Sequence, residues 1–262
     1  MLSKIIKYLL ACRAVHSLNL KGCPFLPKSL STVPLHNRSE YNSFITWLEM
    51  LQMDQANWIV DVGANHGDFS HAAKTYYTST RCLLIEPLPQ LHDELAKKCN
   101  IFHGAWTLEK CALGATNCVM PLFISQNDAI GSLAGFSDEY LAVNDTANPS
   151  SSIECQVRTL DEVTAQHGIS AIDILKIDVE GFEFEVLEGG QRALQKTQAV
   201  IVEVSLVRNK HLHSNPLLNM LNLLSNSGFN IIRIIPSFFA QRETWKPVEF
   251  NILARRSNDS KF

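Results

Sequence analysis

The 262-residue sequence lacks several features that would define its class at once. It has no long run of lysine or arginine, and its formal net charge is −3. A protein that binds a nucleic-acid backbone would usually carry a basic face, so no nucleic-acid partner is expected. The seven cysteines include no Cys-x-x-Cys pair and are irregularly spaced. We therefore expect neither a disulfide framework nor a structural zinc site, and a reducing, cytoplasmic location is favoured.

Internal repeats and low-complexity tracts are also missing from the sequence. The chain is 46% hydrophobic and 19% charged, which is ordinary for a globular protein. Its length suits one α/β domain with some decoration. We predict an extension over residues 1–55, a main domain over residues 56–256 and a tail over residues 257–262.

The N-terminal extension begins with an apolar patch, residues 8–12, which Arg13 interrupts. This patch is too short to span a bilayer, and no small-residue cleavage site indicates a signal peptide. Two interpretations stay open. The segment is a docked helix or partly disordered, or it is an amphipathic helix that contacts a membrane surface or a partner. A further helix is predicted over residues 41–53, because apolar residues fall on one face.

Strand and helix patterns alternate along the main domain. Short apolar strands are predicted at residues 58–60, 82–85, 172–179 and 199–204, and helices at 69–77, 88–99, 182–194 and 217–227. Further strand signals occur at residues 101–106, 109–113 and 119–124. This alternation predicts an α/β fold with a mostly parallel sheet that is covered on both faces. The last two strands, residues 229–235 and 248–254, flank a proline-containing loop and should pair antiparallel.

One segment interrupts the alternation. Residues 125–154 are polar and rich in asparagine, serine, aspartate and glycine. A long loop within a compact domain is usually a functional lid or a disordered insert, and we predict a lid over the acceptor side of the ligand site.

The first predicted strand runs into a glycine-bearing loop, DVGANHG over residues 61–67. Gly63 and Gly67 bracket the turn, and Asn65 tolerates left-handed backbone angles at a position where many such loops have glycine. Ligands bind beyond the carboxyl ends of strands in such sheets. The acid Asp61 would repel a pyrophosphate but attract the cationic amine and sulfonium of S-adenosylmethionine. The loop therefore predicts that cofactor rather than a dinucleotide.

A second acid follows the next strand. Glu86 ends the stretch LIEP, at residues 84–87, and an acid at this place commonly accepts hydrogen bonds from ribose hydroxyls. We predict that Glu86 binds the cofactor ribose. The alternative is a solvated loop acid.

A longer motif, IDILKIDVEGFEFEVLEGG, covers residues 172–190. Together with the first loop it resembles the FkbM family of S-adenosylmethionine-dependent methyltransferases, whose signature is close to D-x-L-K-x-D-x-E-G-x-E. The matching positions are Asp173, Leu175, Lys176, Asp178, Glu180, Gly181 and Glu183. The resemblance covers about residues 57–254. It implies a Rossmann-like class I methyltransferase fold with an antiparallel final strand.

The resemblance also implies O-methylation of a hydroxyl on a carbohydrate or natural-product-like acceptor. The residues expected to bind the cofactor, from the loop and the family motifs together, are Asp61, Gly63, Ala64, Asn65, Gly67, Glu86, Pro87, Ala112 and Leu113.

Catalytic candidates lie at or after the ends of the strands predicted at residues 172–179 and 199–204, the fourth and fifth strands of the predicted parallel sheet. Methyl transfer is an in-line displacement that is helped by positioning of the acceptor and by removal of its proton. Asp178 or Glu180 is the first choice of base, and His211 or His213 the second. Glu203, at the end of the fifth strand, is expected to converge with the first two acids.

Several alternatives accompany these roles. Glu180 could instead satisfy amide groups at a helix N-terminus, and Lys176 is expected to pair with a neighbouring acid. The three acids could hold a hard divalent ion, an alternative that we do not favour. The rival functions are a nicotinamide-dependent oxidoreductase, a non-catalytic cofactor-binding relative and a methyltransferase of proteins.

Overall fold

The computed structural model describes residues 38–125, 130–144, 148–207, 215–240 and 245–257. Its strands are β1 Trp58–Val62, β2 Arg81–Ile85, β3 Trp106–Glu109, β4 Ala112–Leu113, β5 Cys118–Ser125, β6 Gly131–Ser132, β7 Pro149–Arg158, β8 Ile172–Ile177, β9 Thr197–Ser205, β10 Phe229–Phe239 and β11 Pro247–Arg256. Its helices, numbered within these residues, are α1 Arg38–Met50, α2 Asp68–Tyr76, α3 Pro89–Ile101, α4 Asp138–Val143, α5 Leu160–Gln166, α6 Glu183–Glu188, α7 Gln191–Gln195 and α8 Pro216–Asn226.

A seven-stranded sheet forms the centre of the fold, in the order β3-β2-β1-β8-β9-β11-β10. Only β11 runs antiparallel to its neighbours β9 and β10 in this sheet, and the other paired strands are parallel. The predicted α/β sheet with an antiparallel final strand is therefore confirmed. Because the chain passes from β1 outward to β3 and then returns to β8, the strand order reverses between β1 and β8, where such sheets bind ligands.

The central strands are buried on both faces, as expected for parallel strands with nearly continuous apolar sequences. Alternate residues point to two separate cores. Ile59 and Ile174 pack in the core that includes residues of α1 to α3, whereas Val60 and Leu175 pack against residues of α5, α6 and α8. This period of two fixes the register of the strands and the direction in which each strand end presents its polar residue.

Helix α1 belongs to this domain. Its residues Tyr41, Phe44 and Leu48 are buried in the same core as the sheet, and the Tyr41 hydroxyl donates to Thr75 Oγ1 at 2.9 Å. Within the segment predicted as an extension, α1 is therefore packed against the main domain. The expectations for residues 1–37 lie outside the described residues. None of the described helices is long and apolar enough to cross a membrane.

A second sheet, in the order β4-β7-β5-β6, includes strands from the segment that was predicted to be a long loop. Residues 125–154 contain β6, α4 and the first six residues of β7. The long-loop prediction is thus wrong. The reason is that residues 149–152 of β7 are exposed and polar, so they show no apolar alternation although they pair with β5.

Other differences have local causes. The signal at residues 101–106 is the end of α3 and a turn with positive φ at His103 and Gly104, and β3 begins only at Trp106. The helix predicted over residues 182–194 divides into α6 and α7 at Gly189 and Gly190. A Cβ on Gly189 would lie 2.1 Å from the Gly114 carbonyl oxygen, so close packing requires the glycine there.

Strand β10 continues through Pro236, which was predicted to begin a loop. Proline is tolerated there because β10 is the edge strand of the sheet that the described residues form. Helix α5 was not predicted, and it starts from Thr159, whose side chain accepts a hydrogen bond from the Glu162 amide.

Candidate active site

A large cavity opens at the carboxyl ends of β1 and β8, where the strand order reverses. The space between its walls amounts to about 1060 Å³ when the open solvent at its mouth is included. Its wall is built from α1, the β1–α2 turn, the end of β2, β4, the second sheet and the β8–α6 turn. This is the position at which the sequence predicted a ligand.

The β1–α2 turn forms one part of this wall. Gly63, Asn65 and Gly67 all have positive φ, so the left-handed conformation expected of Asn65 is confirmed. A Cβ on Gly63 would lie 1.8 Å from the Asp178 carbonyl oxygen. Glycine is therefore required there by the neighbouring strand end as well as by the turn. Gly67 is not among the residues that line the cavity, and it packs against Leu95 instead.

Asp61 lies beneath the cavity rather than in its wall. It is 0% exposed, accepts a hydrogen bond from Ser70 Oγ at 2.7 Å, and its Oδ1 lies 3.6 Å from Lys176 Nζ. Burial raises the pKa of the Asp61 carboxyl. Asp61 is not among the residues that line the cavity, and its contact with a cationic part of the cofactor stays a prediction.

Lys176 connects the ends of β1 and β8. Its Nζ donates to the Gly63 carbonyl oxygen at 3.0 Å and lies 3.4 Å from Asp178 Oδ2. Burial alone would lower the pKa of Lys176, but the carboxylates of Asp178 and Asp61 outweigh this effect and the pKa is raised. Lys176 is thus a buried ammonium that pairs with neighbouring acids, as the sequence predicted.

Glu86 ends β2 and lines the cavity. Its carboxylate accepts the amide N–H of Asn65 at 2.7 Å and that of Leu88 at 2.9 Å. Burial raises the pKa of Glu86 to about 7, although both amide hydrogen bonds act to lower it. The alternative of a solvated loop acid is wrong, since Glu86 is only 3% exposed.

An apolar slot forms another part of the cavity wall. It includes Cys111, Ala112 and Leu113 from the β4 region and Leu122 from β5. Burial raises the pKa of the Cys111 thiol to about 12, so this side chain is neutral at physiological pH. The slot offers a flat aromatic ring an uncharged surface.

The β8 end supplies charged groups. Asp178 follows β8 directly, its side chain is 29% exposed, and it lines the cavity together with Glu180. Glu180 has a φ of 62°, and its carbonyl oxygen accepts a hydrogen bond from Ser132 Oγ at 2.7 Å. The amide-capping role considered for Glu180 belongs instead to Glu183, whose Oε1 accepts the N–H groups of residues 179 and 181.

Glu203 lies on β9 outside the cavity lining, where Ser237 Oγ donates to its Oε1 at 3.1 Å. Burial and the carboxylates of Asp178 and Glu249 raise the pKa of Glu203 well above its ordinary value. Asp178 and Glu203 follow the paired residues Ile177 and Val202 of the adjacent strands β8 and β9, so the two acids are neighbours at the carboxyl edge of the sheet. The catalytic role of Glu203 stays a prediction. His211 lies outside the described residues, as does His213.

No group of three or more His, Cys, Asp or Glu residues is arranged to hold a metal ion within the described ranges. The structure also adds residues that the sequence analysis missed. Glu40 and Phe44 of α1 line the cavity, as do Gly131 and Leu133 from around β6. An acid one turn before a buried phenylalanine on an amphipathic helix was the available signal for Glu40.

The wall fits S-adenosylmethionine. A buried acid stands at the end of β2, where a ribose is expected, and an apolar slot suits the adenine. The opposite part carries the acids Glu40, Asp178 and Glu180, which suit a cation and disfavour a pyrophosphate. This fold and cavity define a class I S-adenosylmethionine-dependent methyltransferase.

Comparison with known proteins places the chain within that class. The methyltransferase FkbM domain matches residues 61–231, and the chain belongs to this family. It is 26% identical over 230 residues to methyltransferase sdnD of Sordaria araneosa, covering 77% of this chain and 82% of that protein. It is 29% identical over 169 residues to hexuronic acid methyltransferase AglP of Haloferax volcanii, covering 64% and 63%. It is 30% identical over 107 residues to 2-O-methyltransferase NoeI of Sinorhizobium fredii, covering 40% and 38%. Membership of this family overrules the rival hypothesis of a nicotinamide-dependent oxidoreductase, which the α/β fold by itself had left open.

Proposed function

We propose that this methyltransferase transfers its methyl group to a hydroxyl of a carbohydrate or natural-product-like acceptor. The observation that carries the proposal is the carboxylate of Asp178, which opens into the cavity while its counterpart Asp61 is sealed beneath it. A hydroxyl acceptor must lose its proton as it is methylated, and a carboxylate beside it can accept that proton.

The cofactor-binding roles follow the layout of the cavity. Glu86 accepts hydrogen bonds from the ribose hydroxyls. The apolar slot with Ala112 and Leu113, together with Pro87, holds the adenine. The backbone of Gly63, Ala64 and Asn65 lies along the cofactor. In this proposal Gly67 and Asp61 shape the turn from below rather than touch the cofactor.

The chemistry at the β8 end uses the residues already held there. When bound, S-adenosylmethionine supplies an electrophilic methyl group on a sulfonium. Asp178 accepts the proton of the acceptor hydroxyl, and Lys176, 3.4 Å away, fixes the direction of this carboxylate. Glu180 provides a second hydrogen-bond acceptor for the incoming molecule. Phe44 and Phe182 exclude water from the same space.

Two relatives support a sugar acceptor, since AglP is named a hexuronic acid methyltransferase and NoeI a 2-O-methyltransferase. The carboxylates of Asp178 and Glu180 can each accept a hydrogen bond from a hydroxyl. Like charges repel, so this wall favours a neutral, hydroxyl-rich acceptor over an acidic one.

The test is transfer of a ¹³C-labelled methyl group to a matched panel of oligosaccharides that end in a hexose or in the corresponding hexuronic acid. We expect an O-methyl ether on the neutral sugar, located by mass spectrometry and NMR. Asp178→Asn should abolish most of the signal, and the exposed α1 variant Glu49→Gln should retain it. A labelled carboxyl ester or N-methyl product would contradict the proposal.

A further inference from the structure

Glu40 lies in the first turn of α1, outside the stretch that matches the family. It lines the cavity together with Phe44, one helical turn further along. The helix that carries it is held firmly, because Tyr41 and Leu48 are buried in the domain core and Tyr41 is hydrogen-bonded to Thr75. Glu40 is therefore presented to the cavity by a fixed element.

The charged groups that act on the Glu40 carboxylate identify the part of the cavity it faces. Asp178 and Lys176 come from the β8 end, and Asp68 and His66 come from the β1–α2 turn. Glu40 is exposed at the cavity mouth, yet the protein around it and the carboxylate of Asp178 raise its pKa. A cation bound beside it would relieve this repulsion.

S-adenosylmethionine carries an ammonium group on its methionine portion, and a carboxylate in the cavity wall can bind it. Asp61 is sealed behind Ser70 and Lys176. Asp178 shares Lys176 with Asp61, and Glu86 is bound by two backbone amides at the β2 end. Asp68 and Glu180 also line the cavity, but Asp68 is only 7% exposed and Glu180 lies in the β8–α6 turn. Glu40 is an exposed acid on a helix, and it faces both the β1–α2 turn and the β8 end.

We propose that Glu40 binds the ammonium group of the cofactor's methionine portion, so that α1 completes the cofactor site. This inference concerns the cofactor and does not depend on which acceptor is methylated. A carboxylate–ammonium contact at a partly open position is a charge-assisted hydrogen bond of moderate strength.

The test compares two ligands that differ only in the amine, S-adenosylhomocysteine and its desamino analogue. Dissociation constants are measured by calorimetry for the full chain and for Glu40→Gln. We expect Glu40→Gln to weaken S-adenosylhomocysteine about tenfold and the desamino analogue less than about twofold. The binding experiment needs no acceptor. The proposed function can therefore fail while this inference stands, and this inference can fail while the proposed function stands.

The control is Glu49→Gln, which changes an exposed acid on the same helix. It should leave both dissociation constants within about twofold of those of the parent chain. An unchanged or tighter affinity of Glu40→Gln for S-adenosylhomocysteine would overturn the inference. An equal loss for both ligands would do so as well, because it would show that the amine is not what Glu40 contacts.

Discussion

The two ends of the cavity are built in different ways. The β2 end is made of backbone amides, an apolar slot and one buried acid, Glu86, whose hydrogen bonds reach residues 2 and 21 positions away. The β8 end is made of charged side chains, and Lys176 there contacts Gly63, 113 residues away along the chain. The construction of the β2 end suits the cofactor, which is the same in every reaction. The construction of the β8 end suits binding of the acceptor and transfer of its proton.

Two acids on either side of Lys176 show the same contrast. Asp61 is the fourth residue of β1 and is 0% exposed, whereas Asp178 directly follows β8 and its side chain is 29% exposed. Both belong to family motifs, yet only Asp178 reaches the cavity. The difference teaches that one motif acid holds the two strand ends together, while the other is available for chemistry.

The largest structural effect is expected from Lys176→Met. This change leaves the carboxylates of Asp61 and Asp178 without the ammonium between them, and Lys176 is only 7% exposed in its side chain. Removing one partner of a buried ion pair should lower the free energy of unfolding by about 3 kcal/mol. Urea denaturation measures this difference.

The control for that prediction is the double variant Asp61→Asn with Lys176→Met. It removes the buried charge that the single change leaves uncompensated, so part of the lost stability should return. If the single variant loses less than about 1 kcal/mol, Lys176 does not hold the two strand ends together.

A smaller effect is expected from Gly63→Ala, compared with Gly104→Ala. Both glycines have positive φ, and a side chain at Gly104 would meet no atom within 4 Å. Both alanine variants carry the energetic cost of a left-handed backbone. The difference between their stabilities therefore isolates the contact of a side chain at position 63 with Asp178. We expect Gly63→Ala to be less stable by about a further 2 kcal/mol in thermal or urea unfolding. Equal losses would show that the two strand ends can separate freely.

The smallest expected effect is the release of a proton from Glu86, at the β2 end of the cavity, when the cofactor binds. Burial raises the pKa of Glu86 to about 7 from its ordinary value near 4.5, so the folded state retains a proton that the unfolded state loses in this range. Its contribution to stability is therefore fully present below about pH 4.5 and is lost as the pH rises towards 7. Ribose hydroxyls would favour the ionised form and lower this pKa.

Cofactor binding at pH 7 should accordingly release about half a proton. Calorimetry in buffers of different ionisation enthalpy measures the number of protons. Glu86→Gln cannot ionise and should release none from this site. Proton uptake by the parent chain on cofactor binding would show that the Glu86 carboxylate does not accept hydrogen bonds from the ribose hydroxyls.

The parts that could be predicted from sequence are those that depend on local pattern. Apolar strands alternating with helices gave the parallel sheet, and the short loop at residues 61–67 gave the left-handed Asn65. The burial of Asp61 could not be predicted, because it depends on Ser70 and Lys176 from two other elements. The place of Glu40 depends likewise on how α1 packs against the sheet domain.

The most direct measurement compares Asp178→Asn with Glu86→Gln in two experiments. One is the dissociation constant of S-adenosylhomocysteine, and the other is the single-turnover methylation rate at saturating cofactor. We predict that Asp178→Asn lowers the rate by about 100-fold or more with little change in affinity. We predict that Glu86→Gln weakens binding by about tenfold and leaves the rate nearly unchanged. Loss of S-adenosylhomocysteine binding in Asp178→Asn, with the remaining rate preserved, would contradict the division between the two ends of the cavity.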